Sequence, residues 1–173
     1  ELGTHTCVEN LADAGAFVQP AGESCADARP IVFPPCSPDR TTFRVDLGAL
    51  ADDTQGTCSA VSGLGRDAVY LLTLTQTSDL KVSTARPPGS SAEAVTYLRV
   101  DPCQSGAELV CHDSYGAPTS FRAKALSPGK YVLVVDSYRQ VSSGPVDVTV
   151  EVLRTVTNDT CATPLDAPTD GGK

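Results

Sequence analysis

The 173 residues carry 13 Lys and Arg against 21 Asp and Glu, a formal charge of −8. That balance argues against nucleic acid and anionic membrane as partners, since both repel an acidic chain, and it suits solubility, cation binding or a basic partner. Hydrophobic residues make up 40% and aromatics only 5%, with no Met or Trp, so a core must be built mostly from Val, Leu and Ala.

Residues 1–40 contain Pro20, Pro30, Pro34, Pro35 and Pro38. Pro-Pro excludes helix interiors and central strands, so an irregular arm with short extended pieces is expected, with one helical turn over 9–18. From Thr41 a period of two takes over. In 41–47, Thr41, Phe43, Val45 and Leu47 face one way. In 68–76, Tyr70, Leu72 and Leu74 oppose Thr73 and Thr75. In 79–84, Leu80 and Val82 oppose Lys81 and Ser83. Residues 94–101 place Leu98 and Val100 inward and Arg99 outward. In 119–126, Phe121, Ala123 and Ala125 oppose Arg122 and Lys124. Residues 130–136 are apolar on both faces, which suits a central, doubly covered strand. In 145–153, Val146, Val148, Val150 and Val152 alternate with polar residues.

Turn signals separate these runs: Pro87-Pro88-Gly89, Tyr115-Gly116-Ala117-Pro118, Ser127-Pro128-Gly129 and Ser143-Gly144-Pro145. The pattern predicts an all-β, antiparallel β-sandwich. The polar stretch 154–173 reads as a linker or exposed tail. No apolar run is long enough for a transmembrane helix. The chain starts at Glu1, so a leader is expected to have been removed, or the chain to be a segment of a longer polypeptide.

Seven cysteines are present: Cys7, Cys25, Cys36, Cys58, Cys103, Cys111 and Cys161. None forms C-x-x-C, and only two His accompany them, which disfavours zinc. Disulfides in an oxidising compartment are the natural reading, so a secreted or cell-surface location is expected. The odd number leaves one thiol without a partner in the chain. Ser24-Cys25-Ala26-Asp27 is echoed by Thr160-Cys161-Ala162-Thr163, and more loosely by Thr6-Cys7-Val8, which suggests tandem modules.

A longer set of motifs carries a family resemblance. Ser24-Cys25-Ala26 is followed by Cys58 and Gly65-Arg66-Asp67-Ala68-Val69-Tyr70. Then come Tyr97-Leu98-Arg99-Val100-Asp101-Pro102-Cys103, Val110-Cys111-His112-Asp113, and the run Leu126-Ser127-Pro128-Gly129-Lys130-Tyr131 through Asp136. Over about residues 23–157 this array resembles bacterial pre-peptidase C-terminal (PPC) domains, especially the cysteine-bearing tandem type of myxobacterial surface proteins. The resemblance implies a jelly-roll-like sandwich appended to secreted proteins, with residues 1–22 as an arm or the end of a preceding module. Residues 158–173 would then be a linker or the start of a following one. It implies an accessory module; some members bind collagen or polysaccharide, and some calcium. Cys36, residues 1–22 and Gly144-Pro145-Val146 depart from the family pattern.

The family pattern favours Cys25–Cys58 and Cys103–Cys111, the latter closing a short loop between two strands. Cys7–Cys36 follows as the default third pair, leaving Cys161 as a candidate intermolecular thiol. Six cysteines admit about 15 arrangements, so the connectivity stays open. For calcium, a hard cation that takes several oxygen ligands, the candidate ligands are Asp67, Asp101, Asp113 and Asp136. Asp46, Asp52 and Asp53 also lie near strand ends or loops. No D-x-D-x-D-G loop is present, and solvated or turn-capping aspartates are the alternative. Asn158-Asp159-Thr160 is a candidate glycosylation sequon.

No G-x-S-x-G, H-E-x-x-H or phosphate-binding glycine loop occurs. His112 sits between Cys111 and Asp113, but neighbours on a strand point to opposite faces, so it reads as a surface residue beside a cystine. The expectation is therefore a non-catalytic extracellular structural or adhesive module, the repeating unit of a surface protein or filament. Its expected partners are copies of itself head-to-tail, neighbouring modules or an extracellular polymer. The Pro-rich arm is a candidate donated strand. The competing reading is a substrate-binding accessory domain of a secreted hydrolase, for which five tyrosines and no Trp offer little stacking surface.

Overall fold

A computed structural model describes residues 16–59, 65–113, 118–138 and 144–154. Cys7, Cys161, Asn158, His5, Tyr115, most of the 9–18 turn and the 155–173 tail lie outside the described residues. Among the described residues ten strands follow one another: β1 (Phe17–Val18), β2 (Arg29–Pro30), β3 (Arg40–Asp46), β4 (Asp67–Leu74), β5 (Ser78–Ala85), β6 (Ala94–Val100), β7 (Glu108–Asp113), β8 (Ser120–Leu126), β9 (Gly129–Ser137) and β10 (Pro145–Arg154). They form two five-stranded sheets, ordered β1-β3-β10-β5-β8 and β2-β4-β9-β6-β7. The chain crosses from sheet to sheet at nearly every connection, which gives the expected jelly-roll-like sandwich. The long strands pair antiparallel, whereas the two-residue strands β1 and β2 add in parallel to β3 and β4.

Alternation explains the first sheet. Phe43 and Val45, Leu80 and Val82, Phe121 and Ala123, and Val146, Val148 and Val150 all turn inward and are buried. They meet Tyr70, Leu72, Leu98, Leu133 and Val135 from the second sheet. Phe43 packs on Tyr70 with ring centroids 4.9 Å apart at a tilted angle, an arrangement favourable beyond its area alone.

The arm is built into the sandwich. Phe17–Val18 is extended on β3 rather than helical, because pairing with β3 outweighs the weak helical pattern of 9–18. Gln19 is buried and bridges the two sheet edges: its Nε2 donates to the Pro30 carbonyl and its Oε1 accepts from the Val32 N–H. Pro30 sits on an edge strand, the position that tolerates a missing N–H.

Two side chains expected inward are not. Val100, at the end of β6, is 36% exposed, because the pairing slips between Leu98 and Arg99 where the hairpin to β7 begins. Ala125 is exposed at φ 52°, in an irregularity of the β5–β8 pairing that turns Leu126 inward instead.

Candidate functional site

The outer face of the second sheet departs most from a half-exposed sheet. Register aligns its outward residues in rows across β4, β9, β6 and β7. One row is Val69, Val134, Tyr97 and Cys111. Its neighbour is Asp67, Asp136, Val95 and Asp113. Val69, Val95, Tyr97, Val132 and Val134 are buried there as a second small core, with Cys25, Cys58, Cys103 and Cys111 packed against it. Residues 22–28 and 51–59 cover this face, which is why β9 is apolar on both sides.

The cystines bind these covering loops to the sheet, and they correct the expected pairing. The bonds are Cys25–Cys103 and Cys58–Cys111, not Cys25–Cys58 and Cys103–Cys111. The 101–107 turn is already closed by its backbone, with Val100 N–H on the Ala107 carbonyl and Gly106 N–H on the Pro102 carbonyl. Cys103 in that turn and Cys111 on β7 instead meet the two loops descending onto the face. Cys36 is also disulfide-bonded; its expected partner Cys7 is outside the described residues.

Asp67 and Asp136 are register partners on β4 and β9 and are 0% and 3% exposed. Oδ2 of Asp67 accepts from the backbone N–H groups of Asp53 at 2.7 Å and Thr54 at 2.6 Å. Oδ2 of Asp136 accepts from Ser59 Oγ at 3.2 Å. The Asp67 N–H donates to the Ala51 carbonyl. Thr54 Oγ1 and the Tyr97 hydroxyl are hydrogen-bonded, and Thr57 binds the Glu108 carboxylate. The two acids are therefore posts to which the 51–59 loop is tied. Oδ1 of each is buried and receives no donor from the other described residues, and the two carboxyls hydrogen-bond to each other.

Burial pushes both carboxyls up, Asp67 to about 6 and Asp136 to about 8. The Asp67 charge adds to the shift of Asp136, whereas the N–H groups of Thr54 and Asp53 hold Asp67 down. Asp52 raises both further. Two like charges on neighbouring buried register partners cannot both ionise without large cost. Near neutral pH the charge rests on Asp67, where the N–H donors are, and the proton on Asp136. Burial also raises the Tyr97 phenol, and both acids add to that shift.

The four expected calcium ligands are not gathered. Asp67 and Asp136 are adjacent, and Asp113 shares their row beyond Val95. Asp101 follows the other end of β6, its N–H on the Lys130 carbonyl, about 20 Å along the strand. Among the described residues no group of three or more His, Cys, Asp or Glu side chains could hold a metal ion. His112 is exposed on β7. The acid pair as a unit, with Thr54 and Tyr97, went unread in the sequence. Its signal was one Asp at the end of each of two apolar runs, but only strand register joins them.

No family model matches the sequence, and no curated protein matches it. Among solved structures, Aeromonas hydrophila PliG, a periplasmic inhibitor of g-type lysozyme, is 13% identical. Its TM-score is 0.48, over 72% of this chain and 95% of its own. The pre-peptidase C-terminal domain of collagenase from Bacillus anthracis is 18% identical, with a TM-score of 0.46 over 77% of this chain and 98% of its own. A structure of carbohydrate-binding modules from the β-sandwich superfamily is 8% identical, with a TM-score of 0.33 over 67% and 53%.

Proposed function

We propose that the chain is a non-catalytic, PPC-like module of an extracellular protein, with a structural or adhesive role. The observation that carries this reading is the sealing of the acid pair. Two carboxyls with separated proton affinities are the usual raw material of acid–base catalysis. Here they are 0% and 3% exposed, and they hold the protein's own loop where a substrate would have to sit. The strongest polar constellation among the described residues is thus spent on rigidity. The cystines that clamp loops 22–28 and 51–59 support an oxidising, extracytoplasmic setting.

Cys161, the odd thiol of the sequence, bridges to a neighbouring module or subunit in this reading, and assembly is head-to-tail. Non-reducing electrophoresis of the full chain, with electron microscopy of the same sample, tests it. Disulfide-linked multimers that collapse on reduction, and strings of particles, are expected. Dispersed monomers with one titratable thiol would overturn the assembly role.

A further inference from the structure

None of the described loops covers the outer face of the first sheet, and its charges are layered. One row across β3, β10, β5 and β8 reads Arg40, Glu151, Lys81 and Arg122. Glu151 is held by Arg40 at 3.3 Å and Lys81 at 3.0 Å, and Asp79 by Arg122 at 2.7 Å. The carboxylates lie low, 18% exposed for Glu151 and 11% for Asp79. The cationic side chains stand above them at 63% for Arg40, 46% for Lys81 and 52% for Arg122. Lys124, also exposed, adds a fourth cation beside Asp79. Asp39, at the border of this row, is paired with Arg154. A chain of formal charge −8 therefore presents a cation-fronted strip to solvent.

The adjoining row is hydroxylic: Thr42, Thr149, Ser83 and Ser120. The two rows run side by side across the strands. Strand spacing sets Lys81 and Arg122 about 5 Å apart at the backbone, and Arg40 and Lys81 about 10 Å apart.

We propose that this face binds an acidic extracellular polysaccharide, its carboxylate or sulfate groups on Arg40, Lys81 and Arg122 and its hydroxyls on the Thr/Ser row. Charge complementarity selects an anion, and the hydroxyl row selects a sugar. Rows that span four strands accept an extended polymer that a groove would not need to enclose. The chain's overall negative charge repels a densely charged nucleic acid at long range, so a sparsely charged polymer held by short-range contacts fits better. No aromatic platform is required. The inference deepens the adhesive reading above and rests on it by supplying the surface that adheres.

The test is co-sedimentation of the intact protein with insoluble or cross-linked polymers at low ionic strength. Polygalacturonate supplies carboxylate, dextran sulfate supplies sulfate, and neutral dextran and single-stranded DNA are the controls. Retention on one or both acidic glycans is expected, lost as salt rises because the contacts are exposed. The expected affinity loss is at least about tenfold in K81E/R122E, smaller in K81Q/R122Q, and absent in R29E on the other sheet. Circular dichroism of each variant separates lost binding from lost folding, and the Gln pair keeps the test valid if the Glu pair misfolds. Retention on neutral dextran, equal retention of K81E/R122E, preference for DNA, or no retention at all would overturn the proposal. So would salt-sensitive self-association abolished by K81E/R122E without polymer, which would make the partner another copy. Each of these results leaves the Cys161-dependent assembly assay free to stand or fall separately.

Discussion

Replacing Asp136 with Asn should stabilise the protein at alkaline pH, a rare direction for a substitution at a buried strand residue. Asn keeps the shape and the acceptor for Ser59 Oγ. It also keeps a donor toward Asp67, an N–H in place of the proton that the two carboxyls share, and it removes a charge that faces another. In the unfolded chain Asp136 loses its proton near 3.8, whereas in the fold burial and the Asp67 charge raise that point to about 8. The native state therefore holds a proton that the unfolded state has released, and stability falls as pH rises from about 4 to about 8. That interval corresponds to a ceiling on the order of 5 kcal/mol, of which sharing between the two acids leaves about 1–3 kcal/mol for the substitution to recover. Asp67, raised to about 6, slopes in the same sense. Asp27 and Asp79, held down by backbone N–H groups, act only at lower pH. Urea denaturation at pH 5 to 9 measures the effect. Wild type should lose stability across this range, while D136N should lose much less and exceed wild type at pH 8. A flat or rising wild-type curve, or a D136N protein weaker than wild type at pH 8, would refute the reasoning.

Other substitutions probe separate parts of the fold. Gly65→Ala would place a Cβ inside van der Waals contact of Asp136 Oδ1 and the Ser137 carbonyl, so a loss of about 1–3 kcal/mol is expected by denaturant titration. Phe43→Ala empties a fully buried site against Tyr70 and should cost about 3–5 kcal/mol, read as a lowered urea midpoint. Ala125 is exposed at φ 52°, so A125V should lose roughly 1–2 kcal/mol in thermal unfolding although Val suits ordinary strands, and A125G should not.

The sheets were legible wherever one side of a strand meets water. Val146, Val148 and Val150 against Asp147, Thr149 and Glu151 mark β10 directly, and the same alternation marks β3 and β5. It failed where both sides are covered. In β6 Tyr97 and Leu98 are both buried, so period two no longer sorts inside from outside. The strands β1 and β2 are two residues long, too short for any period, and they exist because the sandwich offers them an edge. The cystine partners depended on which loop descends onto which strand, a long-range fact that the short spacing of Cys103 and Cys111 concealed. The acid pair had the same character: Asp67 and Asp136 stand 69 positions apart in the numbering, and only β4–β9 register makes them neighbours.

Disulfide mapping tests the roofed second sheet most directly. The full chain would be digested without reductant, under conditions that suppress exchange, and its linked peptides identified by mass spectrometry. Peptides joining Cys25 to Cys103 and Cys58 to Cys111 are predicted. Peptides joining Cys103 to Cys111, with Cys25 joined to Cys58, would contradict it, because loops 22–28 and 51–59 would then be unfastened from the face they cover.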